Sequence, residues 1–267
     1  MVRAENSMIP DYEDVGTGKA VVFLPGMEGA KEFWHFQAAV FKEKYRAISC
    51  SYIRRQPKLS RTIAEYAADI IRLLDSLHLE KAAIIGESFG GVIAQELTLA
   101  YPQRVVVLVL CNTVDRARSE NFGVNMFTLA TFIHPLTFFF PKARRKAILT
   151  WVGKHRGFVM DPSPGNDQLA EYILEYGLLP GIGGYMDRII AGIKVNFTTK
   201  LETVSVPTLI IRGSEDRIVG PKTVAELVGR IPGAELALIN GGGHCCQQTK
   251  PEATNRAILE WLERQGY

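Results

Sequence analysis

One junction in the chain constrains its fold more than any other. Lys81-Ala82-Ala83-Ile84-Ile85 reads as a short buried strand, Gly86-Glu87-Ser88-Phe89-Gly90 follows at once, and Gly91-Val92-Ile93-Ala94 opens a helical pattern. A strand that becomes a helix within so few residues holds the middle residue in a strained backbone conformation and lifts its side chain over the sheet edge. Gly86 and Gly90 flank Ser88 because side chains there would collide. The start of the helix also places partial positive charge beneath the serine. The plain alternative is an ordinary strand–helix turn that happens to carry a serine.

The rest of the chain repeats the same rhythm. Ala20 to Leu24 reads as a buried strand ending at Pro25-Gly26, and Glu32 to Lys44 has helical spacing. Tyr45 to Ser51 reads as a strand, and Arg61 to Leu77 as an amphipathic helix with Ile63, Ala67, Ile70, Ile71 and Leu74 at helical intervals. Val105 to Cys111 is a continuous apolar run, the pattern of a strand covered on both faces. Strands at Thr208 to Arg212 and Glu235 to Ile239 then alternate with helices at Pro221 to Gly229 and Glu252 to Arg264. Such alternation predicts an α/β fold, a mostly parallel sheet flanked by helices. The rhythm breaks between about Val114 and Lys200, so residues 1–113 and 201–267 are expected to form the core domain and 114–200 an inserted helical cap. Gly181 to Gly184 reads as a turn between cap helices.

Composition narrows the function. With 267 residues, 47% hydrophobic, the chain can bury one full-sized core and is not a disordered segment. Its 31 basic and 28 acidic residues leave a net charge of +3, which gives no reason to expect nucleic-acid binding. Four cysteines are too few for a disulfide scaffold, and no secretory signal is read after Met1, so a cytoplasmic protein with reduced thiols is expected. Met126 to Phe140 is apolar but short of the ~20 residues that span a bilayer, and His134-Pro135 interrupts it. Followed by Lys142, Arg144, Arg145 and Lys146, it reads first as a buried cap helix with a solvated basic turn. Weak contact of the cap with an anionic membrane surface is the other reading.

A serine hydroxyl needs a base to take its proton, and the base needs an orienting group. Of the five histidines, His35 and His78 fall in helical patterns and His134 and His155 in the insertion. His244 alone follows a late strand, on the loop Gly241-Gly242-Gly243, where a parallel sheet presents loops to its ligand side. The favoured acid is Asp216, in the turn after Thr208 to Arg212, with Glu215 and Asp115 as rivals. Two backbone N–H groups are expected to hold an oxyanion, those of Phe89 and of Met27 in Pro25-Gly26-Met27-Glu28-Gly29. Phe127, Phe132 and Phe138 of the insertion are candidate substrate-binding residues over an apolar pocket; packing of the cap onto the core explains them as well.

LPGMEG after an early strand, GESFGG, an insertion, GSEDRIV and GGGH follow one another in an order that resembles the α/β-hydrolase superfamily over the whole chain. The resemblance implies a serine hydrolase with Ser88, Asp216 and His244 as its triad. Two departures stand out: Pro25-Gly26 where many relatives carry histidine-glycine, and Ser51-Tyr52-Ile53-Arg54-Arg55 where many carry Asp-x-Arg-Gly. LCNTVDRA and YRAISCSYI look most like the maspardin branch, some of whose members are thought to bind rather than catalyse.

The leading expectation is an ester hydrolase acting on a small to medium apolar acyl group through an acyl-enzyme. Carbon–carbon or thioester cleavage with the same triad is the alternative, favoured if Arg188 or Lys194 supplies a positive pocket. A non-catalytic interaction protein is the third reading. The expected partner is a small-molecule substrate; no metal-ligand spacing is visible, and the chemistry requires no cofactor.

Overall fold

The computed structural model describes residues 9–52, 61–117, 140–141, 143–148, 151, 166–176 and 182–267. Seven strands form one sheet: β1 (Asp11–Val15), β2 (Ala20–Leu24), β3 (Arg46–Ser51), β4 (Ala82–Glu87), β5 (Val105–Cys111), β6 (Thr208–Gly213) and β7 (Glu235–Ile239). Their spatial order is β1-β3-β2-β4-β5-β6-β7, all parallel except β1, which runs antiparallel to β3. The chain grows outward from β2 to β3, then returns to place β4 on the other side of β2. A crevice opens where the direction of growth reverses, at the carboxyl ends of β2 and β4, and this is where parallel sheets bind ligands.

Helices cover both faces of the sheet. Among the described residues they include α1 (His35–Phe41), α2 (Ile63–Ser76), α3 (Phe89–Ala100), α4 (Asn166–Tyr176), α5 (Ile182–Gly192), α6 (Pro221–Arg230), the short α7 (Cys246–Thr249) and α8 (Pro251–Arg264). Strand alternation divides the core: Val22, Leu24 and Ile84 meet α2, α3 and α6 on one face, while Val21, Phe23 and Ile85 meet Trp34, Phe41 and Trp261 on the other. α2 is fixed at its start by a reciprocal cap in which Thr62 Oγ1 accepts from Glu65 N–H and Glu65 Oε2 from Thr62 N–H.

Two local expectations change. The helical pattern at 32–44 divides into a 3-10 turn, Lys31–Trp34, and α1, because Phe33 and Trp34 are both buried and Trp34 packs on Phe23. Gly183 and Gly184 open α5 instead of lying in a turn. Tyr185 and Ile189 one helical turn apart, with Asp187 and Arg188 buried, hold that segment helical against the glycines' preference. The insertion between β5 and β6 contains no strand among the described residues, and Val195, Phe197, Leu201 and Val204 at its end pack into the core beside α3. No helix among the described residues is long and apolar enough to cross a membrane. His134, His155, Phe127, Phe132, Phe138 and most of the apolar stretch at 126–140 lie outside the described residues.

Candidate active site

Ser88 joins β4 to α3 with φ of 50° and ψ of −114°, a left-handed conformation that costs a non-glycine residue about 1–3 kcal/mol. Its surroundings enforce it. Ser88 N–H donates to Cys111 O at 2.9 Å, and Thr113 Oγ1 donates to Ser88 O at 2.6 Å. A Cβ on Gly86 would lie 2.7 Å from Gly91 N, and one on Gly90 would overlap the carbonyls of Leu24 and Pro25. The two glycines therefore serve close backbone approach, as their spacing suggested.

His244 reaches the same point from the loop after β7. Its Nε2 lies 3.0 Å from Ser88 Oγ and its Nδ1 3.0 Å from Asp216 Oδ2. Asp216 is itself fixed, since its Oδ1 accepts from Ile218 N–H at 2.8 Å and Val219 N–H at 3.0 Å. Its rivals point elsewhere: Asp115 is buried in ion pairs with Arg230 and Arg116, and Glu215 is exposed. Burial works against charging the His244 ring, but Asp216, by charge and by hydrogen bond, with Glu87 and Glu28 behind it, pushes the pKa up to about 9.

Met27 and Phe89 both line the cleft at Ser88, with Val92, Val114, Ile218 and Val219 as further apolar lining. As the first residue of α3, Phe89 has an N–H with no intrahelical acceptor. The Met27 loop is held from the insertion: Arg188 of α5, 1% exposed, donates from Nε to Met27 O at 2.6 Å and from Nη2 to Glu28 O at 3.0 Å. α5 is tied down in turn by Asp187, which accepts from Arg61 N–H at 3.1 Å and Tyr66 Oη at 2.7 Å. Arg188 is thus committed to two carbonyls and Lys194 is exposed, so the positive pocket that sequence allowed for does not form from them.

Three side chains of the site escaped the sequence reading. Asn112, at φ of 46° beyond β5, donates to His244 O at 2.7 Å and accepts from Gly213 N–H at 2.8 Å, which stitches two strand ends to the histidine loop. Glu87 is buried beside His244, and burial raises its carboxyl well above the ordinary range. Burial raises Glu28 as well. Only the adjacency of Glu87 to the serine could have drawn notice. Cys245 and Cys246 are buried thiols whose pKa burial pushes up, to about 12 for Cys246, so they fill space near the histidine as weak nucleophiles.

This architecture defines a hydrolase, and the alpha/beta hydrolase family model matches residues 21–257. The chain belongs to that family. It is 26% identical over 266 residues to "Putative carbamate hydrolase RutD" of Pantoea ananatis (strain LMG 20103), covering 93% of this chain and 90% of that one. Among solved structures it resembles an esterase from Exiguobacterium antarcticum, with TM-score 0.80, 20% identity and 94% of each chain covered. It also resembles a meta-cleavage product hydrolase from Pseudomonas fluorescens IP01, with TM-score 0.73, 23% identity, and 95% and 94% of the two chains covered. At these identities the structural likeness speaks for the fold.

Proposed function

We propose that the protein is a serine hydrolase that cleaves a carboxylic ester of a small to medium apolar acyl group through an acyl-enzyme. The observation that carries this reading is the continuous hydrogen-bonded line Ser88–His244–Asp216 at the polar end of an apolar cleft. Ser88 Oγ attacks the acyl carbon while His244 Nε2 takes its proton, and Asp216 holds the ring and offsets its charge. The N–H groups of Met27 and Phe89 receive the oxyanion. His244 returns the proton to the leaving alkoxide, and water then releases the acid by the same route in reverse. The described part of the insertion, which lines the cleft with Val114, Ala117 and Gly192, serves as its cover.

The committed state of Arg188 removes the one feature that favoured a carboxylate-bearing, carbon–carbon substrate. A hydrogen-bonded, buried His244 supports catalysis over a binding role. The name borne by the Pantoea relative makes the carbamate the competing acyl substrate worth including. The test is a panel of p-nitrophenyl esters of graded chain length, an aryl thioester, a carbamate and a dioxo acid, run on wild type and Ser88→Ala. Turnover greatest on short to medium esters and lost in the variant is expected. Preference for the carbamate or dioxo acid, or turnover that survives the substitution, would overturn the reading.

A further inference from the structure

The Ser88–His244–Asp216 line leaves one acid beside the imidazole unused. Glu87 ends β4 and is 1% exposed, with Oε1 3.6 Å from His244 Nε2, the nitrogen that also meets Ser88 Oγ at 3.0 Å. Its Oε2 is buried and makes no well-formed hydrogen bond among the described residues, the Gly26 backbone N–H being the polar group beside the carboxyl. The carboxyl gains its place because residue 26 is glycine: a Cβ there would lie 2.9 Å from Glu28 Oε2 and closer still to Glu87 Oε2. A buried oxygen without a well-formed hydrogen bond costs about 1–3 kcal/mol, and an apolar side chain of this length would fill the space without it. A gap of 3.6 Å is too long for a direct bond and suits one water about 2.8 Å from each group.

That water would stand where the second half of an acyl-enzyme cycle requires one, against Nε2 and next to the oxygen that carries the acyl group. We infer that Glu87 is a further catalytic residue, whose Oε1 holds the hydrolytic water against His244 Nε2. The inference rests on the acyl-enzyme reading above. In the step, the water oxygen bonds to the acyl carbon and its proton passes to Nε2. The carbon–oxygen bond to Ser88 then breaks, and the same proton goes to Ser88 Oγ. Glu87 accepts the water's other O–H and neither gains nor loses a proton, so its effect falls on deacylation.

The experiment follows p-nitrophenyl acetate by stopped flow, with hydroxylamine as a competing acceptor, in wild type, Glu87→Leu and Glu87→Gln. In Glu87→Leu, deacylation by water is expected to slow at least about tenfold more than acylation does. An acetyl adduct then accumulates on Ser88, and the ratio of hydroxamate to acetate rises. Glu87→Gln keeps an acceptor oxygen at the site and recovers most of the wild-type partition. Should the leucine variant not fold, Glu87→Ala is read in the same way. Acylation and deacylation slowed equally, or an unchanged partition, would overturn the assignment of Glu87 alone. Wild-type turnover with no Ser88 adduct and no transfer to hydroxylamine would instead overturn the acyl-enzyme reading.

Discussion

Arg188→Met tests whether the insertion sets the proposed oxyanion site at Met27 N–H. The guanidinium supplies two hydrogen bonds, 2.6 Å to Met27 O and 3.0 Å to Glu28 O, each worth about 1.5–3 kcal/mol as a charged-to-neutral bond. Methionine fills much of the volume and donates nothing. Losing both bonds is offset by removing a buried charge, whose desolvation alone costs several kcal/mol, so stability should fall by only about 1–3 kcal/mol. Activity has a separate scale. Deleting one oxyanion donor costs about 2.7–4 kcal/mol, or 10²–10³ in kcat. Here the loop stays tethered by Gly29 N–H to Gly26 O at 3.1 Å and Tyr52 N–H to Gly29 O at 2.7 Å, so Met27 N–H shifts and is not lost. About half the donor's contribution should go, a drop in kcat of roughly 10–30-fold with KM nearly unchanged, since the donor acts on the transition state. Steady-state kinetics on the preferred ester and a thermal melt measure both quantities. A folded variant with kcat within about threefold of wild type would refute the reasoning. So would a loss confined to KM on carboxylate-bearing substrates, which would make Arg188 a substrate cation.

Asp216→Asn should keep the fold, because an amide oxygen can still accept from Ile218 and Val219 N–H, yet lower kcat by about 10³–10⁴ through loss of the carboxylate that orients and charges the ring; steady-state kinetics with a melt separate the two effects. Only neutral imidazole can take the serine proton, and His244 has its pKa raised to about 9, so kcat/KM should climb with pH across the neutral range and level off near that value. A profile that levels below pH 7 would contradict the raised value. Thr62→Ala removes the reciprocal cap of α2 and should cost about 1 kcal/mol in urea unfolding, with kcat unchanged.

Much of this molecule could be read along the chain, for identifiable reasons. Apolar runs such as Val105 to Cys111 mark strands covered on both faces, and the close spacing of glycines around Ser88 reports a backbone approach that any side chain would block. β1 was not legible: Asp-Tyr-Glu-Asp-Val is exposed, shows no apolar alternation, and joins the sheet through its backbone pairing with β3. Ser88, Asp216 and His244 could be named because each follows a strand and the strands are parallel. The supports of the site could not. Asn112 acts through an uncommon backbone angle and two long-range bonds, Glu87 reads as one more residue of the turn that carries Ser88, and Arg188 reads as a helix cation free to meet a substrate until its carbonyl partners are seen. Such roles depend on which distant segments pack together, and no local pattern encodes that.

The most direct test of the account treats the protein with diethyl p-nitrophenyl phosphate and records the intact mass, since phosphorylation requires a serine activated by its histidine. A single diethylphosphoryl adduct, mapped to Ser88 and missing from Ser88→Ala, is the predicted result. An unmodified wild-type protein, or the same adduct on both proteins, would contradict the claim that Ser88 and His244 form a working nucleophile.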